Sequence, residues 1–185
     1  MVEVIERKGL LRLAEPVQLA SGAWSREFVD VKAALCDGRD LAAACDLLLE
    51  RLRDAGIAFD AIGGLTMGAD QFAYGTAICG DKSWFVVRKA AKGRGTNRRV
   101  EGARLGGTTR VVLVEDAATT GESMREALHV VRSEAGCQVV AAVAIVDRGE
   151  SARRLFEAEG VPYLALVTYR DLGIPAVSDA GGEAT

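Results

Sequence analysis

The chain has 185 residues, 49% of them apolar and 26% charged, with a net charge of −3. That length and balance predict one soluble domain with a real hydrophobic core, and they exclude collagen, coiled coil and wholesale disorder. No stretch approaches the roughly 18 apolar residues of a membrane span, and the charged opening MVEVIERKGLL lacks a secretory apolar stretch, so a cytoplasmic protein is expected.

Along the chain, Val4, Ile5, Leu10, Leu11 and Leu13 recur at roughly helical spacing over residues 2–14, predicting a short helix that Pro16 stops. Two extended segments, 17–20 and 27–31, flank the turn signal Ser21-Gly22. The run Asp40–Ala55 is rich in helix formers and is followed by Gly56, a good residue just past a helix end. Short apolar runs then alternate with helical segments: FDAIGGL, an Ala-rich stretch, SWFVVRK, RVVLVED, a helix from Glu122, QVVAAVAIVD, a helix from Ser151, and VPYLALV. Buried strands separated by helices predict an open α/β sheet, mainly parallel and covered on both faces. Residues 1–175 read as one domain, and 176–185 as a flexible tail.

Cys36, Cys45, Cys79 and Cys137 show no CxxC spacing and read as buried thiols. His129 is the single histidine, which excludes metal centres built on several histidines, and it is read as structural. A Ser-His-Asp triad survives the count, but no GxSxG elbow supports it. Trp84 sits in a predicted strand and is expected in the core, whereas Trp24 could stack on a base or pack on a neighbouring element.

The informative segment is VVLVEDAATTGES, Val111–Ser123. An apolar strand runs into Glu115 and Asp116, then a loop of small and hydroxyl residues (Ala117, Ala118, Thr119, Thr120, Gly121), then a helix beginning at Glu122 and Ser123. Ligands of parallel α/β sheets bind at the carboxyl ends of strands, small residues let the backbone approach closely, and a helix N-terminus favours an anion. Paired acids suit sugar hydroxyls, or the orienting of a metal through water, so the segment describes a sugar-phosphate site.

This segment resembles the phosphoribosyl pyrophosphate (PRPP) motif of type I phosphoribosyltransferases. Further pieces, in family order, resemble the orotate phosphoribosyltransferases: SGAWSREFVD (21–30) the orotate segment, IGGLTMGAD (62–70) the pyrophosphate loop, VVRKAAKGRG (86–95) the mobile catalytic loop, and IVDR (145–148) the late strand. The resemblance covers roughly residues 5–173. It implies the type I phosphoribosyltransferase fold, with a small hood from residues 1–35 and the C-terminal part. It also implies transfer of phosphoribose from PRPP to orotate, with Mg²⁺ held mostly by substrate oxygens rather than by protein ligands.

By the same resemblance, Thr119–Ser123 would cradle the 5-phosphate, and Glu115 and Asp116 would hold the ribose hydroxyls. Thr66, Met67, Gly68 and Ala69 would supply donors to pyrophosphate, and Arg88, Lys89, Lys92 and Arg94, with Asp116, match catalytic positions. Phe28, Val29, Thr119 and Arg148 match base contacts, and a homodimer sharing its active sites is implied. Eight basic residues between Arg88 and Arg110 against one acid, Glu101, form a positive stripe suited to a leaving pyrophosphate. Read blandly, the stripe is a solvated surface loop; as a nucleic-acid site it lacks interleaved aromatics.

Three departures from the family stand out. Ala20, Ala23 and Trp24 occupy a segment that usually carries basic residues, Arg94 stands where a histidine is usual, and Met67 replaces a lysine of some members. Ala23, Trp24 and Arg94 keep open a different acceptor, a modified pyrimidine or other acidic heterocycle. A PRPP-sensing regulator is the third reading, weakened by the intact acids and TTG loop.

Overall fold

The computed structural model describes residues 1–19, 21–90 and 98–177. Helix α1 (Val2–Lys8) is shorter than the sequence pattern suggests, and Leu10, Leu11 and Leu13 lie in strand β1 (Leu10–Gln18). The helix ends at Gly9, where an added Cβ would sit 2.7 Å from the Asp30 carbonyl oxygen and 2.8 Å from Ala34 Cβ. That close approach turns the chain into an antiparallel pairing with β2 (Trp24–Val29). Pro16 therefore does not stop a helix: it sits inside β1, where the register shifts between Arg12 and Val17 and a missing N–H is tolerated. The turn between the strands contains Gly22 at φ +85°, as the Ser-Gly signal predicts.

A short helix α2 (Val31–Ala34) follows, capped by the Asp30 side chain, which accepts from Ala33 N–H at 2.9 Å. Helix α3 (Gly38–Asp54) confirms the expected long helix, and Gly56 follows it at φ +69°. Then come β3 (Ala61–Leu65), α4 (Asp70–Gly80), β4 (Ser83–Val87), β5 (Val100–Gly102), β6 (Arg110–Ala118), α5 (Glu122–Ala135), β7 (Gln138–Asp147), α6 (Ser151–Ala158) and β8 (Tyr163–Thr168).

The six later strands form one sheet, ordered β5-β4-β3-β6-β7-β8, in which only the three-residue β5 is antiparallel. Alternation along β6 sends Val112 and Val114 to one face, with Leu48 and Leu52 of α3 and Phe72 of α4, and Val111 and Leu113 to the other, with Leu128 of α5 and Phe156 of α6. Both faces are covered, so the strands read as continuous apolar runs. From β3 the chain proceeds to β4 on one side, and from β6 to β7 on the other, which makes the carboxyl ends of β3 and β6 the switch-point crevice.

Two expectations about buried side chains fail. Cys45 and Cys137 are buried, but Cys36 and Cys79 are exposed. Trp84, the second residue of β4 and next to the sheet edge, is 42% exposed, and its ring packs edge-on against Tyr74 with centroids 4.8 Å apart. Trp24, at the start of β2, is 65% exposed.

Candidate active site

The crevice is built from two adjacent strand ends. On β3, glycines let the backbone pack closely: a Cβ on Gly64 would fall 2.3 Å from the Val114 carbonyl oxygen and 2.8 Å from Ala69 Cβ. Thr66–Ala69 form the turn between β3 and α4; the Thr66–Met67 peptide is cis, and Thr66 N–H donates to the Val87 carbonyl at 2.9 Å. Across from it, Asp116 lies against Gly68, where an added Cβ would sit 2.8 Å from Asp116 Oδ1.

On β6 the strand continues past the acids to Ala118, so Glu115 and Asp116 are held in a ladder beside Ala144 and its neighbours on β7. Asp116 Oδ1 accepts from Ala117 N–H at 2.9 Å, and its Oδ2 pairs with Lys32 of α2. Burial pushes the Glu115 carboxyl up to about 7; the neighbouring Asp116 charge adds to the rise, and a hydrogen bond from Ser123 and the Lys32 charge oppose it. Gly121 enters α5 at φ +83°, with an added Cβ 3.0 Å from Ala152 Cα, so glycine is required there.

Two cavities meet at Glu115. One, of about 900 Å³, is walled by Thr66, Met67, Gly68, Arg88, Lys89 and Asp116, among others. The second, of about 280 Å³, is walled by Ser21 and by Ala117, Thr119, Thr120, Gly121, Glu122 and Ser123. The structure thus gathers the acids, the hydroxyl loop, the turn after β3 and the first two basic residues into one crevice. Ala69 and Ala118 are buried behind it. Lys92 and Arg94 lie outside the described residues.

The positive stripe does not stay together. Arg88 and Lys89 face the larger cavity, with Arg88 3.6 Å from Glu101, whereas Arg99 pairs with Glu126 on α5. Arg110 opens β6 and binds Asp60 at 2.8 Å, at the opposite end of the sheet from the crevice. Closeness in sequence fails here because the chain crosses from one end of the sheet to the other between β5 and β6.

Arg148 follows β7 and is 3% exposed. Its N–H donates to the Ala118 carbonyl at 2.8 Å and its Nη2 to the Glu27 carbonyl at 3.1 Å, while Nε is buried with no partner in the protein. Burial lowers the guanidinium pKa, opposed by the Glu27 charge. Phe28 is 40% exposed and Val29 sits in the core; neither they nor Arg148 line the two cavities. His129 is exposed on α5 and contacts Glu159 at 3.2 Å, away from the two cavities. Sequence reasoning missed Lys32, which lines the larger cavity and lies in no motif, and gave no role to Ser21 and Asp70, the end residues of two quoted segments, which also line the cavities.

An open sheet with its switch-point crevice beside a TTG loop, and a two-strand hood over one end, is the architecture of type I phosphoribosyltransferases. The phosphoribosyl transferase domain family matches residues 33–157. The chain is 43% identical over 164 residues to the orotate phosphoribosyltransferase of Streptomyces coelicolor, covering 85% of this chain and 88% of that protein. The crystal structure of Mycobacterium tuberculosis orotate phosphoribosyltransferase in complex with PRPP superposes with a TM-score of 0.75 at 32% identity, covering 94% of this chain and 96% of that one. The Aeropyrum pernix orotate phosphoribosyltransferase gives 0.78 at 31% identity, over 92% and 95% of the two chains. Agreement of sequence and fold over nearly the whole length shows that the chain belongs to the orotate phosphoribosyltransferase family.

Proposed function

We propose that this protein transfers the phosphoribosyl group of PRPP to N1 of orotate, giving orotidine 5-phosphate and pyrophosphate for pyrimidine synthesis. The observation that carries the reading is the convergence of Glu115, Asp116 and the Thr119–Ser123 loop on the crevice that also holds the Thr66–Ala69 turn. The loop hydroxyls and the α5 N-terminus receive the 5-phosphate, and the acids accept from the ribose hydroxyls. The C1–oxygen bond breaks with its electron pair leaving on pyrophosphate; N1 bonds to C1 and its proton passes to solvent. Arg88 and Lys89, joined by Lys92 and Arg94, offset the charge gathering on the leaving group. Arg94 stays charged at working pH, so it neutralises without donating a proton. Arg148, whose Nε has no partner in the protein, is assigned to the acid group of the base, with Phe28 and Thr119 at the ring; Val29 lies in the core and supports β2 from behind.

Mg²⁺ is read as carried in on substrate oxygens rather than on protein ligands. When bound, Mg²⁺ supplies charge neutralisation of the pyrophosphate. A homodimer is part of the reading: Tyr74, Ile78 (82% exposed) and Trp84 leave apolar surface on α4 and β4 that a second copy would cover. No helix among the described residues is long and apolar enough to cross a membrane, and action in the cytoplasm accords with that. We treat residues 1–175 as one domain; of the expected tail 176–185, Val177 is buried with its N–H donating to the Arg148 carbonyl at 2.8 Å, and 178–185 lie outside the described residues.

The test follows orotate absorbance with purified protein, PRPP and Mg²⁺, omitting each in turn. Loss that requires both supports the reading. PRPP binding without orotate loss refutes orotate as acceptor, and the exposed Trp24 and the buried Ala23 in the orotate segment then direct a screen of other acidic heterocycles for pyrophosphate release.

A further inference from the structure

Lys32 belongs to none of the motifs above, yet it lines the larger cavity. It sits on α2, whose Val31 and Ala34 are buried while the Lys32 side chain reaches the crevice, 48% exposed. Its ammonium pairs with Asp116 Oδ2, on the oxygen that Ala117 N–H leaves unused. Two further carboxylates feel the same charge: Lys32 opposes the rise that burial imposes on Glu115 and on Asp70. Asp70, in the first turn of α4, has a buried Oδ1 with no hydrogen-bond partner. One ammonium thus faces three carboxylates drawn from β6 and α4, in a cavity meant for a polyanion.

Three acids repel PRPP against the pull of Arg88 and Lys89 on the same cavity wall, whereas an ammonium with three donors can hold Asp116 and still offer an N–H to the ligand. Resting on the PRPP reading of this site, we propose that Lys32 is a positioning residue for PRPP, fixing the Asp116 carboxylate towards the ribose hydroxyls and offsetting the three acids. The hood is then coupled to sugar binding through this ion pair, not only to the base.

The experiment compares wild type, Lys32→Met, Lys32→Arg, Asp116→Asn and the Met/Asn double variant. PRPP affinity is read by calorimetry without any base, and KM and kcat by turnover. Loss of one cation facing a polyanion weakens PRPP binding and raises its KM about tenfold in Lys32→Met, with the acceptor KM within about twofold. Lys32→Arg restores most of the affinity, since it keeps the charge. In the Asp116→Asn background the same change costs less than about threefold, because its partner is gone. Equal rises in both KM values, an unchanged PRPP affinity, or fully additive losses in the double variant would overturn the proposal. Because affinity is measured without a base, a protein that binds PRPP but ignores orotate refutes the acceptor and still tests Lys32; a wild type that does not bind PRPP refutes both.

Discussion

Replacing Glu115 with glutamine tests the electrostatics of the ribose end of the crevice. Burial, with Asp116 alongside, raises this carboxyl from an ordinary 4.5 to about 7. The folded protein therefore binds the proton more tightly than the unfolded chain does. The stability this gives is fully present below about pH 4.5 and is lost as pH rises through about 7. At about 1.4 kcal/mol per pH unit the ceiling is roughly 3 kcal/mol, lowered because part of the carboxyl faces the open cavity. Glutamine keeps the neutral shape at every pH. Glu115→Gln should thus gain on the wild type as pH rises from about 5 to 8, the gap widening by about 2 kcal/mol. Urea unfolding followed by tryptophan fluorescence at several pH values reads that gap, and other titrating groups such as the buried Asp147 cancel because both proteins carry them. A gap that stays constant, or one that narrows with rising pH, would refute the assignment of a crowded, desolvated Glu115.

Three further outcomes are expected. Arg148→Lys loses the guanidinium that holds the Glu27 carbonyl and that the proposed function assigns to the base, so the orotate KM should rise about a hundredfold while the PRPP KM stays near its wild-type value; initial rates under varied substrate check this. Gly64→Ala forces a methyl onto the Val114 carbonyl and should destabilise the fold by about 2–3 kcal/mol, seen as a lower Tm, with the pyrophosphate turn displaced. Truncation after Gly173 removes the Val177 N–H that holds the Arg148 carbonyl and should raise the orotate KM severalfold more than the PRPP KM, as paired kinetics would show.

The core of the sheet and the phosphate loop were legible because their signals are local. Val111–Ser123 carries an apolar strand, its acids and its loop in one unbroken stretch, and the strand-helix alternation after Asp60 is set by runs of neighbouring residues. The hood was less legible: Leu10, Leu11 and Leu13 fit helical and extended spacing alike, and the close approach of Gly9 to Asp30 decides between them. β5 has three residues at a sheet edge and leaves no pattern. Hydrophobicity could not tell that Trp84 or Cys79 faces outward, nor could clustering tell that Arg110 opens its strand at the far end from the crevice. Lys32 and Asp116 are 84 residues apart, and no spacing rule joins them.

The residues that sequence reasoning missed or misplaced have a common position, and it explains how the hood works. Lys32 reaches Asp116, Ser21 closes the smaller cavity, and Ser25 and Glu27 flank the guanidinium of Arg148, so the segment 21–32 touches residues that the proposed function assigns to ribose, phosphate and base. Its strands are largely exposed, so its own packing holds it weakly compared with the sheet. Ser21 Oγ, Asp70 Oδ1 and Arg148 Nε are buried without a partner, each at a cost of roughly 1–3 kcal/mol. The chemistry each lacks is what the proposed substrates carry: an anionic oxygen for Arg148 Nε and Ser21 Oγ, and a hydroxyl or bound water for Asp70. A ligand that supplies these partners recovers those costs and fastens the hood at the same time, so the first substrate to bind should order the surroundings of the second.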